Sequence, residues 1–277
     1  MFRAKDKLFP LGEKTLIMGI LNYTPDSFSD GNSFFSPETA LDRTLLMEKQ
    51  GADIIDIGAV STRPGAEIAD EKAELSRLHE VLPAIKGRLA VPFSVDTFRP
   101  ECAAYALEQG ASIINDVSGV FNYDMVSLAK EYKAAYIVTH NPCGADSAAR
   151  YPEGATTAVK AFFDDCLRLA DKYGLPRENL CLDPGFGFGK SREDDYEIVR
   201  NMRALKTEGV ALLAGASRKR MTNISGSDSP AERDAATAAI HTLCTAGGAD
   251  IIRVHNVETA AKAAAAADRI CRKANNG

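Results

Sequence analysis

Polar and charged side chains follow several short apolar segments of this sequence, and their types suggest a chemistry. Three cationic centres, Arg63, Arg253 and His255, are accompanied by the neutral Asn22. Arginine guanidinium groups match phosphate oxygens bidentately, so this set predicts the binding of a phosphate-type anion. The alternative is that the arginines form surface ion pairs, which is their usual fate.

Two aspartates and an asparagine suit a different part of a ligand. Asp96 and Asp183 could accept hydrogen bonds from a flat, nitrogen-rich ring with a guanidine-like edge, and Asn115 can both donate and accept beside them. The alternative is that the aspartates cap helices or pair with Lys219. The chain has no HxH or HExxH spacing, so Mg²⁺ brought by a diphosphate substrate is favoured over a transition metal held by the protein.

The segments that must position these groups alternate between apolar, strand-like runs and amphipathic, helix-like runs. Helices are predicted at 36–51, where Ser36 is the expected cap, and at 71–87, 231–248 and 258–274. Eight strands are predicted at Leu16–Leu21, Asp53–Ile57, Leu89–Val95, Ser112–Asn115, Ala135–Thr139, Leu180–Asp183, Val210–Gly215 and Ile251–Val254. This alternation, without a linker, predicts an α/β fold in which residues 1–277 form a single-domain (β/α)8 TIM barrel.

A barrel of this kind places catalytic groups at the carboxyl ends of its strands. Asn22, Asp96, Asn115 and Asp183 each follow or end a predicted strand, and His140 is a further candidate at the end of the fifth. Helix capping explains a polar residue at any one strand end. Its repetition at eight strand ends favours a functional site.

Composition and motifs exclude several other classes of protein. The 277 residues are 45% hydrophobic and 26% charged with a net charge of −5, which argues against a nucleic-acid-binding surface. The sequence shows no signal peptide and no apolar run long enough to span a membrane. Six cysteines without a CxxC pair predict reduced thiols in a cytoplasmic protein. The stretch GFGFGKS is no P-loop, because Gly185 and Gly189 enclose three residues instead of four.

Seven motifs carry a family resemblance, in this order and at strand ends: MGILNYTPDSFSDG, STRPGA, SVDT, INDVSG, LDPGFGFGK, GASRK and RVHNV. From about Leu16 to Val257 the chain resembles dihydropteroate synthase of folate biosynthesis. The resemblance implies a TIM barrel, usually a homodimer, that is a target of sulfonamides. It also implies that p-aminobenzoate is joined to 6-hydroxymethyl-7,8-dihydropterin diphosphate, giving 7,8-dihydropteroate and pyrophosphate, with Mg²⁺ as cofactor.

The resemblance further implies roles for individual residues. The pterin would be bound by Thr62, Asp96, Asn115, Asp183, Lys219 and Arg253. The diphosphate would be bound by Asn22, Arg63, Arg253 and His255, with Asn22 also at the metal. The aminobenzoate pocket and lid would include Phe28, Arg63, Pro64, Phe188, Ser217 and Arg220. Catalysis would depend on Asn22, Arg63, Asp96, Lys219, Arg253 and His255, and the loop from Tyr23 to Phe35, with Asp26 and Asp30, would close over the diphosphate.

Some positions depart from the family's usual pattern, and two alternatives stay open. The departures are Ala59 and Val60 for a Gly–Glu pair, Thr139 and Asn141 for methionines, Arg220 for a small residue, and Asn256 for an aspartate. One alternative is a methyltetrahydrofolate methyltransferase, which shares the aspartate–asparagine floor but needs no diphosphate-binding residues. The other is a pterin-binding paralogue without turnover, which acts as a binding or regulatory protein.

Overall fold

Eight parallel strands close into a barrel, as the alternation of strands and helices predicts. The structure is a computed structural model that describes residues 1–24, 36–60, 69–142 and 151–272. Each barrel strand pairs in parallel with the next one along the chain, and the last pairs with the first. The strands are β3 (Leu16–Asn22), β4 (Ile54–Gly58), β5 (Phe93–Asp96), β6 (Ile113–Asp116), β7 (Ala135–Thr139), β8 (Leu180–Asp183), β9 (Ala211–Ala214) and β10 (Ile251–Val254).

Each barrel strand is followed by a helix. The helices are α1 (Pro37–Lys49), α2 (Glu71–Ile85), α3 (Pro100–Glu108), α4 (Tyr123–Glu131), α5 (Ala155–Tyr173), α6 (Arg192–Arg200), α7 (Asp234–Ala246) and α8 (Val257–Cys271). Ser36 caps α1 as predicted, because its Oγ accepts a hydrogen bond from the Thr39 N–H at 3.3 Å. No helix within the described ranges is long and apolar enough to cross a membrane.

Side chains alternate between the inside and the outside of the barrel along every strand. In β4, Ile54 packs in the barrel interior, while Ile55 and Ile57 pack in the larger cluster beneath the helices. Asp56 and Gly58 therefore point inward with Ile54. The same alternation turns the polar residues of the other strands toward the barrel axis.

A short hairpin closes the amino-terminal end of the barrel. Its strands are β1 (Phe2–Ala4) and β2 (Lys7–Phe9), which pair antiparallel. Phe2 and Ala4 are completely buried against barrel-interior residues such as Leu16 and Met18. The sequence pattern does not predict this hairpin. Because this end is filled with apolar side chains, a polar ligand can enter the barrel axis only from the opposite, carboxyl end.

Candidate active site

Inward-facing polar side chains collect at the carboxyl end of the barrel, where the sequence predicts the site. Asn22 and Asp96 end β3 and β5, and Asn115 is the last inward-facing residue of β6. The strand register pairs Gly58 with both Asn22 and Asp96, and it pairs Asp96 with Asn115. These predicted residues are therefore brought together on four neighbouring strands.

Arg253 lies at the centre of this polar layer and contacts two carboxylates. Its Nε donates to Asp56 Oδ2 at 2.6 Å, and its Nη2 donates to Asp96 Oδ2 at 2.6 Å. Asn115 Nδ2 donates to the same Asp56 oxygen at 3.1 Å. The side chain of Arg253 is 19% exposed, and that of Asp56 is completely buried. Asp96 thus pairs with Arg253 and not with Lys219, the partner that the sequence leaves open.

Asp56 is the inward-facing residue that the sequence interpretation missed. It lies inside the predicted strand Asp53–Ile57, where the flanking isoleucines favour a purely structural element. The available signal was its strand parity, because a charged residue two positions before the inward-facing Gly58 must also point into the barrel. A buried carboxylate at such a position requires a partner.

Asp183 and the loop after β8 form the opposite wall of the site. Asp183 Oδ1 accepts from the Gly185 N–H at 2.8 Å, and Thr139 Oγ1 lies 3.5 Å from Asp183 Oδ2. Lys219 Nζ donates to the Phe186 carbonyl at 2.6 Å and lies 4.5 Å from the centroid of the Phe188 ring. Burial raises the pKa of Asp183, which Lys219 opposes, and burial lowers the pKa of Lys219. The structure therefore places Phe188, a predicted aminobenzoate residue, beside the predicted pterin residue Lys219, which in turn acts on Asp183.

A buried lysine holds the backbone of this loop in place. Lys190 Nζ donates to the carbonyls of His140 at 3.1 Å, Gly185 at 2.9 Å and Phe188 at 3.1 Å. The three carbonyls belong to the end of β7 and to both halves of the loop after β8. Lys190 thereby fixes the position of Phe188 relative to the barrel.

Ser217 and His255 form the side of the site that follows β9 and β10. Ser217 Oγ accepts from the His255 backbone N–H at 3.1 Å and lies 3.0 Å from His255 Nδ1. Ser217 therefore contacts a predicted diphosphate residue, in addition to being a candidate for the aminobenzoate pocket. Arg220 is exposed, and its Nη2 donates to the Lys190 carbonyl, which links the loops after β8 and β9.

The departure at Asn256 has a physical explanation in the structure. Asn256 Nδ2 donates to Asp234 Oδ2 at 3.0 Å, and its Oδ1 accepts from the Thr259 N–H at 3.1 Å at the start of α8. Asp234 also accepts two hydrogen bonds from Arg218, at 2.8 and 2.9 Å. An aspartate at position 256 would face the Asp234 carboxylate, so the amide is the residue that fits this cluster.

Asn141, which departs from the family pattern, and the preceding His140 have structural roles. Asn141 Nδ2 donates to the Val117 carbonyl at 2.9 Å. His140 is buried against the rings of Tyr151 and Phe162, and burial lowers its pKa to about 3. It faces the helices and not the barrel axis, since it follows the inward-facing Thr139. His140 is thus a packing residue and not the site residue that its position at a strand end suggested.

Two arginines hold the ends of the segment between β4 and α2. Arg77 Nη1 donates to the Ala59 carbonyl at 2.8 Å, and Arg99 Nη2 donates to the Ala69 carbonyl at 2.7 Å. Arg99 is also paired with the buried Glu74.

Four predicted site residues lie outside the described residues: Phe28, Thr62, Arg63 and Pro64. The loop aspartates Asp26 and Asp30 lie outside them as well.

Two carboxylate oxygens at the floor of the site remain available to accept hydrogen bonds. Asp56 Oδ1 and Asp96 Oδ1 are buried and have no partner among the described residues. Burial raises the pKa of Asp96 to about 7. The cations of Arg253 and Lys219 oppose this rise in pKa, and the carboxylates of Asp56 and Glu74 add to it. A bound ring that offers N–H donors would satisfy these oxygens.

In the ligand-free protein, the raised pKa of Asp96 predicts that this residue's contribution to the free energy of unfolding decreases between pH 6 and pH 8. The buried Lys190, whose pKa is lowered to about 7, acts in the opposite direction over this range, so the contribution of Asp96 is read from the difference between wild type and Asp96→Asn. The folded protein keeps a proton on Asp96 up to about pH 7, whereas the unfolded chain releases it near pH ~4. Stability therefore increases as the pH falls through the folded-state value. The expected contribution of Asp96 is about 1 kcal/mol, measured by urea unfolding of wild type and Asp96→Asn at both pH values. Asp96→Asn should remove this part of the dependence; an unchanged slope in that variant would contradict the assignment.

Two side-chain oxygens at this end of the barrel have the chemistry that a magnesium ion would require. No cluster of three His, Cys, Asp or Glu side chains suited to a metal occurs among the residues that the structure describes. The Asn22 Oδ1 and Asp96 Oδ2 oxygens each lie 3.8 Å from the position that a Cβ on Gly58 would fill. Hard oxygen donors beside this glycine suit Mg²⁺, which takes few protein ligands when substrate phosphates supply the others.

Comparisons with known proteins identify a similar family over nearly the whole chain. The family model for pterin binding enzymes matches residues 18–255. A dihydropteroate synthase from Synechocystis is 42% identical over 270 residues, which cover 96% of this chain and 93% of the relative. The crystal structure of a dihydropteroate synthase from Clostridium difficile in the presence of pteroic acid has a TM-score of 0.88 at 38% identity, covering 96% of this chain and 100% of its own. A dihydropteroate synthase from Xanthomonas albilineans with 4-aminobenzoic acid has a TM-score of 0.86 at 35% identity, covering 93% of each chain.

Proposed function

The chain belongs to the dihydropteroate synthases, a family of pterin-binding transferases, and on that basis we propose its substrates and mechanism. The whole chain acts as one pterin-binding domain. It joins p-aminobenzoate to 6-hydroxymethyl-7,8-dihydropterin diphosphate and releases pyrophosphate. The observation that carries the proposal is the buried layer of Asp56, Asp96, Asn115 and Arg253, which meets the axis of the barrel at its open end.

The pterin ring is held by the acceptors at the floor of this layer. A pterin has a flat ring with a guanidine-like edge, which offers several N–H donors in one plane. Asp96 and Asp183 are the carboxylates that accept them, Asn115 adds a donor and an acceptor, and Lys219 supplies a further donor. Arg253 lies beside the ring, where its planar guanidinium group can stack.

Charge at this floor favours departure of the diphosphate. The carbon–oxygen bond to the diphosphate breaks, and the bonding electrons leave with the diphosphate, so positive charge develops on the pterin methylene. The carboxylates of Asp56, Asp96 and Asp183 lie at this floor, beside the cations of Arg253 and Lys219. Carboxylate oxygens fixed at this floor stabilise the positive charge that develops on the substrate. The neutral aromatic amine then forms the carbon–nitrogen bond and releases a proton to solvent.

The departing diphosphate is held at the rim by Asn22, Arg63, Arg253 and His255. Asn22 and His255 lie at the ends of β3 and β10, which are adjacent strands. Ser217 orients the His255 ring through the contact at Nδ1. Asn22 would help to hold Mg²⁺, which would supply positive charge near the diphosphate.

The aminobenzoate lies above the pterin, next to Phe188 and the stem of Lys219. Ser217 and Arg220 form the side that follows β9, and we assign Phe28 and Pro64, which lie outside the described residues, to the rest of the pocket and its lid. A sulfonamide drug resembles p-aminobenzoate and competes for this pocket. The lid excludes water from the reactive methylene once both substrates are bound.

The proposal is tested by a steady-state assay of pyrophosphate release with both substrates, with and without Mg²⁺. We expect turnover that needs both substrates and falls when Mg²⁺ is removed. Pterin binding without pyrophosphate release would instead favour a paralogue that lacks turnover. Methyl transfer from methyltetrahydrofolate would favour the methyltransferase alternative.

Replacing the exposed Arg220 by serine is expected to change the KM for aminobenzoate more than the KM for the pterin substrate. The guanidinium group of Arg220 is close to the aminobenzoate side of the site, where it can meet the substrate carboxylate, and the pterin floor lies deeper. A several-fold increase in the aminobenzoate KM is the expected size. Arg168→Ser, on an exposed face of α5 where Arg168 pairs with Asp165, is the matched control. Equal changes in both KM values would refute this role.

We also propose that the chain forms a homodimer through the face that includes α6 and α7. This face has an apolar groove of about 440 Å³ lined by Tyr196, Val199, Ile224, Ala239, Ile240 and Leu243. Leu243 and Ile224 are large apolar side chains that remain 59% and 64% exposed. A second copy would cover them. Light scattering at micromolar concentration measures the mass directly, and a monomer there would contradict the proposal.

A further inference from the structure

Asp56 connects two of the residues that the proposed function assigns to the pterin. It is the third residue of β4, points into the barrel and is completely buried. Its Oδ2 accepts from Arg253 Nε at 2.6 Å and from Asn115 Nδ2 at 3.1 Å. A single carboxylate oxygen therefore joins the last barrel strand to the fourth strand along the barrel.

The contacts of Arg253 determine how its guanidinium plane lies. Nε is held by Asp56 and Nη2 by Asp96, both at 2.6 Å. Two separate contacts on two different nitrogens fix both the position and the tilt of a planar group. With Asp96 alone, the group would keep a single contact and could rotate about it.

The contact to Asn115 determines which end of the amide faces the ligand. An ionised carboxylate only accepts hydrogen bonds, so the NH₂ end of Asn115 must face Asp56. The amide oxygen of Asn115 is then left for donors of a bound ring. An asparagine at position 56 could donate as well as accept, and it would allow the Asn115 amide to turn over.

We propose that Asp56 is a positioning residue, which sets the guanidinium plane of Arg253 and the amide orientation of Asn115 for recognition of the pterin ring. This inference rests on the proposed function. It assigns Asp56 to pterin recognition and not to the aminobenzoate pocket, because both of its partners line the pterin floor.

The alternative is a purely structural role, since losing one member of a buried ion pair destabilises any fold. Asp116 offers a matched control on β6, which is separated from β4 by β5. It is also completely buried and accepts from Tyr136 Oη at 2.8 Å and from the Ser118 N–H at 2.9 Å. It faces the helices, so Asp116→Asn carries a comparable structural change without touching the floor.

The first experiment measures the KM for both substrates, and kcat, in wild type, Asp56→Asn and Asp116→Asn. For Asp56→Asn we expect the pterin KM to rise ten- to hundredfold and the aminobenzoate KM to stay within about threefold. Asp116→Asn should lose thermal stability and leave the ratio of the two KM values unchanged. If wild type turns over and both variants keep that ratio, the inference about Asp56 is wrong. If wild type itself neither binds the pterin nor turns over, the proposed function fails instead.

A double-mutant cycle tests whether Asp56 acts through Arg253. In the Arg253→Ala background, Asp56→Asn should lower kcat/KM for the pterin by a smaller factor than it does in wild type, because only the contact to Asn115 is left to lose. Multiplicative losses would overturn the inference. If circular dichroism shows that Asp56→Asn does not fold, Arg253→Lys tests the inference instead. An ammonium group cannot keep the two contacts that the planar guanidinium group makes. We then expect Arg253→Lys to lose nearly as much kcat/KM for the pterin as Arg253→Ala does. Activity of Arg253→Lys close to that of wild type would contradict the inference.

Discussion

The Arg253→Ala variant is expected to lose about three orders of magnitude in kcat/KM for the pterin diphosphate. Arg253 is the guanidinium group fixed between Asp56 and Asp96 at 2.6 Å from each. A preorganised donor of this kind supplies roughly 3 to 4 kcal/mol of transition-state stabilisation. Its removal also leaves two buried carboxylates unpaired, so the free energy of unfolding should fall by about 3 kcal/mol. Steady-state kinetics and urea unfolding of the same variant measure the two effects.

A control separates the loss of chemistry from the loss of stability. Arg272 is another largely buried arginine; it pairs with Asp268 at 2.7 Å and donates to Thr15 Oγ1 at 2.9 Å. This cluster precedes β3, at the amino-terminal end of the barrel, away from the site. Arg272→Ala should therefore destabilise the fold but keep kcat/KM within a few-fold of wild type. A similar activity in both variants would show that Arg253 serves the fold and not the reaction.

Gly185→Ala is expected to have the second-largest effect, because position 185 has no room for a side chain. Gly185 has a φ of +66°, and an added Cβ would lie 2.2 Å from the His140 carbonyl oxygen. The left-handed backbone costs roughly 1 to 2 kcal/mol for a residue with a Cβ, and the clash must displace the loop after β8. That loop contains the Gly185 N–H, which donates a hydrogen bond to Asp183. We expect a loss of at least about 3 kcal/mol in urea unfolding and a sharp rise in the pterin KM.

Gly187 in the same loop provides the comparison. Its φ is +78°, but an added Cβ would meet only the Lys219 side chain, at an ordinary 3.4 Å. Gly187→Ala should therefore cost only the backbone strain, about 1 to 2 kcal/mol. If both substitutions destabilise the protein equally, the carbonyl of His140 is not what requires a glycine at position 185.

The sequence determined the elements and the direction of their side chains. The strands at Ala135–Thr139, Leu180–Asp183 and Ile251–Val254 occur with the predicted bounds, and the others differ by a few residues. Local periodicity is sufficient here, because the alternation of apolar residues reports which face of a strand is buried. The motifs at strand ends likewise indicated the family. They also predicted that Asn22, Asp96, Asn115 and Asp183 lie at one end of the barrel.

Only the tertiary structure decided which of these groups touch. Asp56 and Arg253 are 197 residues apart in sequence, and their contact exists because the barrel closes and brings the eighth strand beside the first. The same closure brings Arg253 into contact with Asp96, and the pairing of β8 with β9 places Lys219 beside the Phe186 carbonyl. The burial of His140 also depends on α5, which packs over it. A sequence pattern reports the direction of a side chain, whereas a hydrogen-bond partner depends on distances between strands that no local pattern contains.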